Sequence, residues 1–143
     1  MELLANRLLI NGIIAWACAQ ILKTFIHAGI NRKFDWHRLF GDGGMPSGHS
    51  ATVTSMAVTA AYEYGVGSSV FAIMAMLATI VMKDAMGVRL ETGKQAKIIN
   101  EITNLLDPVE PFSQDHLKEF VGHTPLQVFF GALLGVCIAL WCR

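Results

Sequence analysis

From Val66 to Met82 the chain carries almost no polar side chain, and from Leu126 to Trp141 the same holds again. A helix that is apolar all round belongs in a deep core or in a bilayer. Composition favours the bilayer. Only 15% of the 143 residues are charged, against about 25% in ordinary soluble domains, and the mean hydropathy is +0.46. The length suits one domain, residues 1–143, rather than two.

Two further segments read as apolar helices, Leu8 to Leu22 and Ser50 to Tyr64. A bilayer core of ~30 Å asks for about 20 helical residues. The second of these segments is therefore short, and Asn11 and Gln20 interrupt the first. The N-terminal run lacks a small-residue cleavage site and reads as a retained span rather than a leader. Ala61 to Gly67 is a tight turn with two tyrosines suited to a membrane interface, which makes the spans it joins antiparallel neighbours. Between Lys83 and Thr124, Ala96, Ile98, Ile99, Ile102, Leu105 and Leu106 recur at helical spacing, with Lys94, Lys97, Asn100 and Glu101 opposite. Asp107-Pro108 ends that amphipathic helix, which suits a membrane surface or a cover over the bundle. The expected fold is all-α: an integral membrane helical bundle of about four spans with an amphipathic helix on the polar side. Four spans put the polar stretches Lys23–His49 and Lys83–Thr124 on one side, and these hold nine of the eleven Lys and Arg residues. The positive-inside rule assigns that side to the cytoplasm.

Lys plus Arg equal Asp plus Glu, so no global field calls for nucleic acid. Cys18, Cys137 and Cys142 lie in or beside apolar segments without the spacing of a zinc or redox motif, and read as small hydrophobes. Gly41 to Ser50 lacks the lysine of a P-loop. His27, His37, His49, His116 and His123 are many for this length, yet their spacings, Asp115-His116 included, match no metal-ligand pattern.

The chemistry concentrates at two helix starts. Gly43-Gly44-Met45-Pro46-Ser47-Gly48-His49-Ser50 precedes the second apolar segment. Pro46 suits a first helical turn, the glycines let backbone approach a ligand, and the amides of a helix start attract phosphate. Ser47 adds a hydroxyl, and His49 exchanges a proton near neutral pH. Gly122-His123-Thr124-Pro125-Leu126-Gln127-Val128, leading to Gly131 and Gly135, opens the last segment. Gln127, Gly131 and Gly135 share one face, where small residues allow close helix contact. These two stretches, with Lys83-Asp84-Ala85-Met86-Gly87-Val88-Arg89 and Gly93-Lys94-Gln95-Ala96, resemble the divergent bacterial and plant branch of the type 2 phosphatidic acid phosphatase superfamily, which also holds vanadium haloperoxidases. The resemblance covers nearly the whole chain.

That resemblance implies His123 as the nucleophile toward phosphorus and His49 as the acid that protonates the leaving oxygen. It implies a cationic cradle in which Lys23 matches the lysine of the first signature, with Ser47 and Gly48 at the phosphate. The arginine expected seven residues after Lys23 is replaced by Ile30, and Arg32 or Arg38 can stand in from the loop. The arginine expected six residues before His123 is replaced by Leu117, and Arg89 is the substitute. Gln127 occupies the place of the aspartate that supports the nucleophile: its carbonyl can hold the ring's tautomer but brings no charge. Asp84 is the alternative source of that charge.

The implied activity is hydrolysis of a lipid phosphate monoester or pyrophosphate through a phosphohistidine intermediate, with no metal or organic cofactor. Its partners are a lipid phosphate substrate and membrane lipids, and two glycines on the last helix suit pairing with a second copy. The missing aspartate and arginines support the alternative, a non-catalytic relative that binds lipid headgroups or scaffolds an assembly. Phosphatidate, phosphatidylglycerophosphate and a polyprenyl pyrophosphate are not separated by the sequence.

Overall fold

The computed structural model describes residues 5–32, 43–106, 117–119 and 121–143. Five helices occupy them: α1 (Arg7–Asn31), α2 (Gly48–Glu63), α3 (Ser69–Met86), α4 (Val88–Leu106) and α5 (Pro125–Trp141). Among the described residues there is no strand. His37, Arg38, Asp107, Pro108, Asp115 and His116 lie outside the described residues.

Each start carries a capping side chain where the sequence offers one. Asn6 accepts from Leu9 N–H, Ser47 from Ser50 N–H, Ser68 from Phe71 N–H and Thr124 from Gln127 N–H. Such caps are each worth about 1 kcal/mol and fix where a helix begins. Two expectations about the termini change. Pro46 precedes the Ser47 cap and is not in the first turn of α2. α1 does not stop at Leu22 but runs on through Lys23 to Asn31, closing on Arg32 with a left-handed φ of 51°. Thr24 to Asn31 contains no proline, and a single lysine has good helix propensity, so nothing there breaks the helix.

α2 is the centre of the bundle and packs against α1, α3 and α5. Its core is made of small residues: Ala15, Ala19, Ala51 and Ala60 are fully buried, and the largest fully buried side chains are Thr59, Ser47, Ser50 and Ser55. Small side chains let backbones close on one another where lipid tails remove any hydrophobic advantage of large ones. On α5, a Cβ at Gly131 would collide with the Ser47 carbonyl, and one at Gly135 with the Ala51 carbonyl. The glycine face expected to suit a second copy is therefore covered by α2 of the same chain.

Asn11 explains one polar interruption of α1. Its Nδ2 donates to Thr59 Oγ1 at 3.0 Å, and its carbonyl accepts from Ser55 Oγ at 3.2 Å. Interhelical bonds of this kind average about 0.6 kcal/mol in membranes, so they fix register more than they add strength. α1 and α2 run antiparallel, with Arg7 paired to Glu63 at 3.2 Å at the far end.

α3 behaves differently. Its long apolar stretch continues almost without a break into α4, and only 11% of its most apolar window is covered by protein. Ile73, Met76 and Ile80 are among the exposed side chains. An apolar helix left so bare is stable in lipid and not in water. α1 passes the same test of length and apolarity, while α5 is apolar but shorter. The architecture is a helical membrane bundle.

α4 corrects the assignment of its faces. Its buried stripe is Gly93, Ala96 and Asn100, whereas Ile98, Ile99, Ile102 and Leu105 are exposed. Asn100, placed by sequence on the polar face, turns inward. Its carboxamide donates to the Leu117 carbonyl at 3.0 Å and to Glu119 Oε1 at 2.9 Å, and accepts from Leu117 N–H at 3.1 Å. Holding the returning chain needs a two-way hydrogen-bonding side chain, and periodicity cannot reveal that need.

Candidate functional site

His49 and His123 are 74 positions apart in the sequence, yet their ring centroids stand 5.9 Å apart at an interplanar angle of 61°. Two helix starts bring them there. Ser47 N–H donates to the Gln127 carbonyl at 3.0 Å, tying the cap of α2 to the first turn of α5. With Gly131 against the Ser47 carbonyl, the two starts meet at close range.

His123 lies just before the α5 cap and is 3% exposed. Its backbone N–H donates to the Ala85 carbonyl at 2.9 Å, near the end of α3. Gly122, at φ +91°, rests on the backbone of Arg89 and Leu90, where a Cβ would strike main chain. Only glycine meets both demands. The α3–α4 junction, which contains the motif Lys83 to Arg89, is thus a seat for the nucleophile candidate.

The ring of His123 is backed by Gln127. Gln127 Oε1 accepts from Thr124 N–H at 3.1 Å, which orients the carboxamide oxygen first. The same oxygen lies 3.3 Å from His123 Nδ1. An acceptor there requires the proton on Nδ1, which leaves the lone pair on Nε2. Gln127 therefore holds the tautomer that a nucleophilic Nε2 needs. It also completes a capping box with Thr124. That box was legible as Thr124-Pro125-Leu126-Gln127, and it explains why glutamine serves at this position.

Both rings open onto a cavity of about 430 Å³, lined also by Trp16, Gln20, Lys23, Gly48, Thr52, Val53 and Val81. Lys23 is 5% exposed, and its aliphatic stem lies against Gly44. Gly48 and His49 bring the N-terminal end of α2 to the wall, so the helix's positive pole and the lysine side chain favour an anion. A second cavity of about 220 Å³, lined by Leu9, Gly12, Ile13, Trp16, Thr52 and Met56, shares Trp16 and Thr52 with the first. It continues the site as an apolar groove between α1 and α2.

Of the residues singled out by sequence, Lys23, Gly48, His49 and His123 line one cavity, and Gln127 stands behind His123. Ser47 is fully buried and engaged in capping, its Oγ accepting from Ser50 N–H and from Ser50 Oγ at 3.1 Å. Asp84 and Arg89 do not line the cavity: Arg89 Nε donates to Asp84 Oδ2 at 2.6 Å in a half-exposed ion pair. Asp84 thus faces a guanidinium, while an amide oxygen stands behind His123. Arg32 is exposed at the end of α1, nine residues beyond Lys23, and is not brought to the cavity. Trp16, Gln20, Thr52, Val53 and Val81 were not picked out as site residues. Gln20 was visible only as a polar interruption of an apolar span, and the other four carry no sequence signal. Among the described residues, no group of three or more His, Cys, Asp or Glu is placed to hold a metal ion.

The chain is 40% identical to a Bacillus subtilis (strain 168) protein named uncharacterized membrane protein YuiD, over 98% of this chain and 96% of that one. No solved structure matches. The sequence model of the family described as Divergent PAP2 matches residues 4–138, from before α1 to within α5. This chain, with its two histidine-bearing helix starts meeting over one cavity, belongs to the divergent PAP2 family.

Proposed function

We propose that the protein is a membrane phosphatase that hydrolyses a lipid phosphate monoester or pyrophosphate through a phosphohistidine intermediate. The observation that carries this is the 5.9 Å approach of His49 and His123 over a cavity lined by Lys23. At that spacing one phosphoryl group and its ester oxygen can touch both rings.

The steps follow from the residues. His123 Nε2 attacks phosphorus, and the bond to the leaving oxygen breaks as protonated His49 gives that oxygen a proton. Neutral His49 then takes a proton from water as the water oxygen attacks phosphorus. The P–N bond breaks, the electron pair returns to Nε2, and phosphate leaves. Phosphoryl transfer is accelerated chiefly by positioning and by charge on the equatorial oxygens. Lys23 and the start of α2 supply that charge, and Gln127 Oε1 holds the Nδ1–H of the attacking ring. The apolar groove beyond Trp16 and the lipid-facing α3 support a substrate carried by the bilayer. The charge pattern supports a multi-pass chain with its polar loops on the cytoplasmic side. The exposed isoleucines of α4 suit the membrane surface there.

Purified protein is incubated with vesicles containing phosphatidate, phosphatidylglycerophosphate or a polyprenyl pyrophosphate, and phosphate release is measured. Release from at least one lipid is expected, with no loss on magnesium chelation and with an acid-labile phosphoenzyme absent from His123→Ala. A strict need for added metal, or turnover that survives in His123→Ala, overturns the mechanism.

A second reading has its own support. With Gln127 in the aspartate's place and Arg89 bound to Asp84, the chain keeps a phosphate-sized cavity with fewer charges than the wider superfamily uses. Headgroup binding without phosphate release identifies a binding or scaffolding protein.

A further inference from the structure

Trp16 joins two spaces. It is exposed on α1, lines the cavity that holds both histidines, and also lines the apolar groove between α1 and α2. Its indole reaches across to the start of α2, where a Cβ on Gly48 would stand 3.6 Å from Trp16 Cδ1. An anion held at that helix start is beside the indole, and a chain bonded to it on that side leaves across the ring. The groove beyond is apolar. Leu9, Ile13 and Trp16 form its α1 wall, and Thr52 and Met56 its α2 wall. At Gly12 the two helices close on each other, since a Cβ there would stand 2.9 Å from Met56 Cγ. Thr52 brings the one hydroxyl, but that hydroxyl donates to the Gly48 carbonyl at 2.9 Å, and the methyl faces Gly12.

Position along α1 says how a chain would lie. A helix rises about 1.5 Å per residue, so the groove runs about 10 Å from Trp16 to Leu9, away from Lys23. α1 is long and apolar enough to cross a bilayer, so a chain laid along it runs close to the bilayer normal, as it does in free lipid. Lipid tails are as apolar as leucine, so moving a chain from bilayer to groove brings little hydrophobic gain. What the groove supplies is a route: the phosphate reaches Lys23 and the histidines while the chain keeps its depth in the membrane. Another apolar groove, of about 280 Å³, lies between α1 and α5, with Leu22, Ile26, Phe130 and Leu133 among its walls. Among the described residues it shares none with the histidine cavity, so a chain there has no such route.

We propose that the α1–α2 groove is a chain subsite that takes one hydrocarbon chain of a membrane lipid phosphate, which enters sideways from the bilayer past Trp16, and that Ile13 and Trp16 decide whether a long chain is accepted. The other chain of a two-chain lipid stays in the bilayer. The inference rests on the reading of the histidine cavity as a phosphate site.

The test uses the full chain in nanodiscs and hexadecylphosphonate carrying a photoreactive diazirine in mid-chain, with the labelled residues mapped by mass spectrometry. Labelling is expected on Leu9, Ile13 or Met56, and it is expected to disappear with excess butylphosphonate, which takes the anion site but is too short to fill the groove. Groove labelling that butylphosphonate does not displace marks ordinary bilayer lipid and overturns the proposal. So does displaceable labelling on Phe130 or Leu133. Ile13→Trp fills the groove from its exposed rim, and is expected to weaken hexadecylphosphonate binding about tenfold or more while butylphosphonate binding stays within about twofold. Leu9→Trp serves if that variant does not fold. Equal losses for the two phosphonates overturn the proposal, as does a loss confined to the long chain in Cys137→Trp, which blocks the other groove. Turnover of the matching phosphate esters is scored separately. Displaceable groove labelling without turnover sinks the phosphatase reading and leaves the chain subsite standing; turnover with the label elsewhere does the reverse.

Discussion

The starts of α2 and α5 use the same materials in different order. In α2 a serine cap comes first and the histidine follows within the first turn; in α5 the histidine comes first and a threonine cap follows. The shift of a few residues changes what each ring can do. His123, outside its helix, is held on two sides, its N–H on Ala85 and its Nδ1 on Gln127, and it is nearly fully buried. His49, carried on its helix, is half-buried on the cavity wall beside Gly48. A nucleophile gains from a fixed tautomer and a fixed position. A proton donor gains from access to the leaving group and then to water. Under the proposed mechanism, the two starts differ as those two tasks differ.

Substitutions can break that comparison. His123→Ala is expected to give the largest effect, a loss of turnover of roughly 10⁴-fold or more, in the range found when a covalent nucleophile is removed. Phosphate release from a folded variant checks it, and activity within tenfold of wild type would move the nucleophile elsewhere. His49→Ala is expected to slow an alkyl phosphate by about 10²- to 10⁴-fold. The loss should shrink with a nitrophenyl phosphate, whose leaving oxygen needs no proton. Equal losses on the two esters would deny His49 the acid role.

Gln127 sharpens the comparison because it ties the His123 ring to the cap of α5. Gln127→Leu removes both the hold on Nδ1 and half of the capping box, and should lower stability by about 1 kcal/mol and turnover by tens of fold. Gln127→Glu keeps the box and adds a negative charge behind the ring, so turnover at least equal to wild type is expected. A glutamate variant as slow as the leucine variant would show that amide geometry, not acceptance at Nδ1, is what His123 requires. The smallest effect belongs to Arg89→Gln. Its ion pair with Asp84 is about two-fifths exposed on each side, and such pairs contribute about 0–1 kcal/mol. A thermal melt and a turnover assay should both change little. A loss of a hundredfold would restore Arg89 to the phosphate cradle.

The resemblance of Pro46-Ser47-Gly48-His49 and His123-Thr124-Pro125 singled out two histidines whose rings the structure brings to 5.9 Å, because both motifs encode a local geometry, a cap and a turn. Lys23, singled out by its match to the first signature, lines the same cavity. The arginine substitutes were not recoverable that way. Arg32 was chosen by its nearness in sequence to the expected position and Arg89 by its place at the end of the third apolar span, and a helix that runs eight residues past Lys23 carries Arg32 away from the cavity. Asn100 was misplaced for a similar reason, since periodicity sorts side chains by polarity and does not register a polar contact that faces inward.

Local chemistry alone was enough to specify apolar helices and a membrane home, because hydropathy acts over a few residues. Tertiary structure decided which helix starts touch, that the glycines of α5 serve α2 rather than a second copy, and that Gln20 lines the cavity. Those outcomes depend on backbone approach between segments far apart in the chain, and no run of neighbouring residues records such distances.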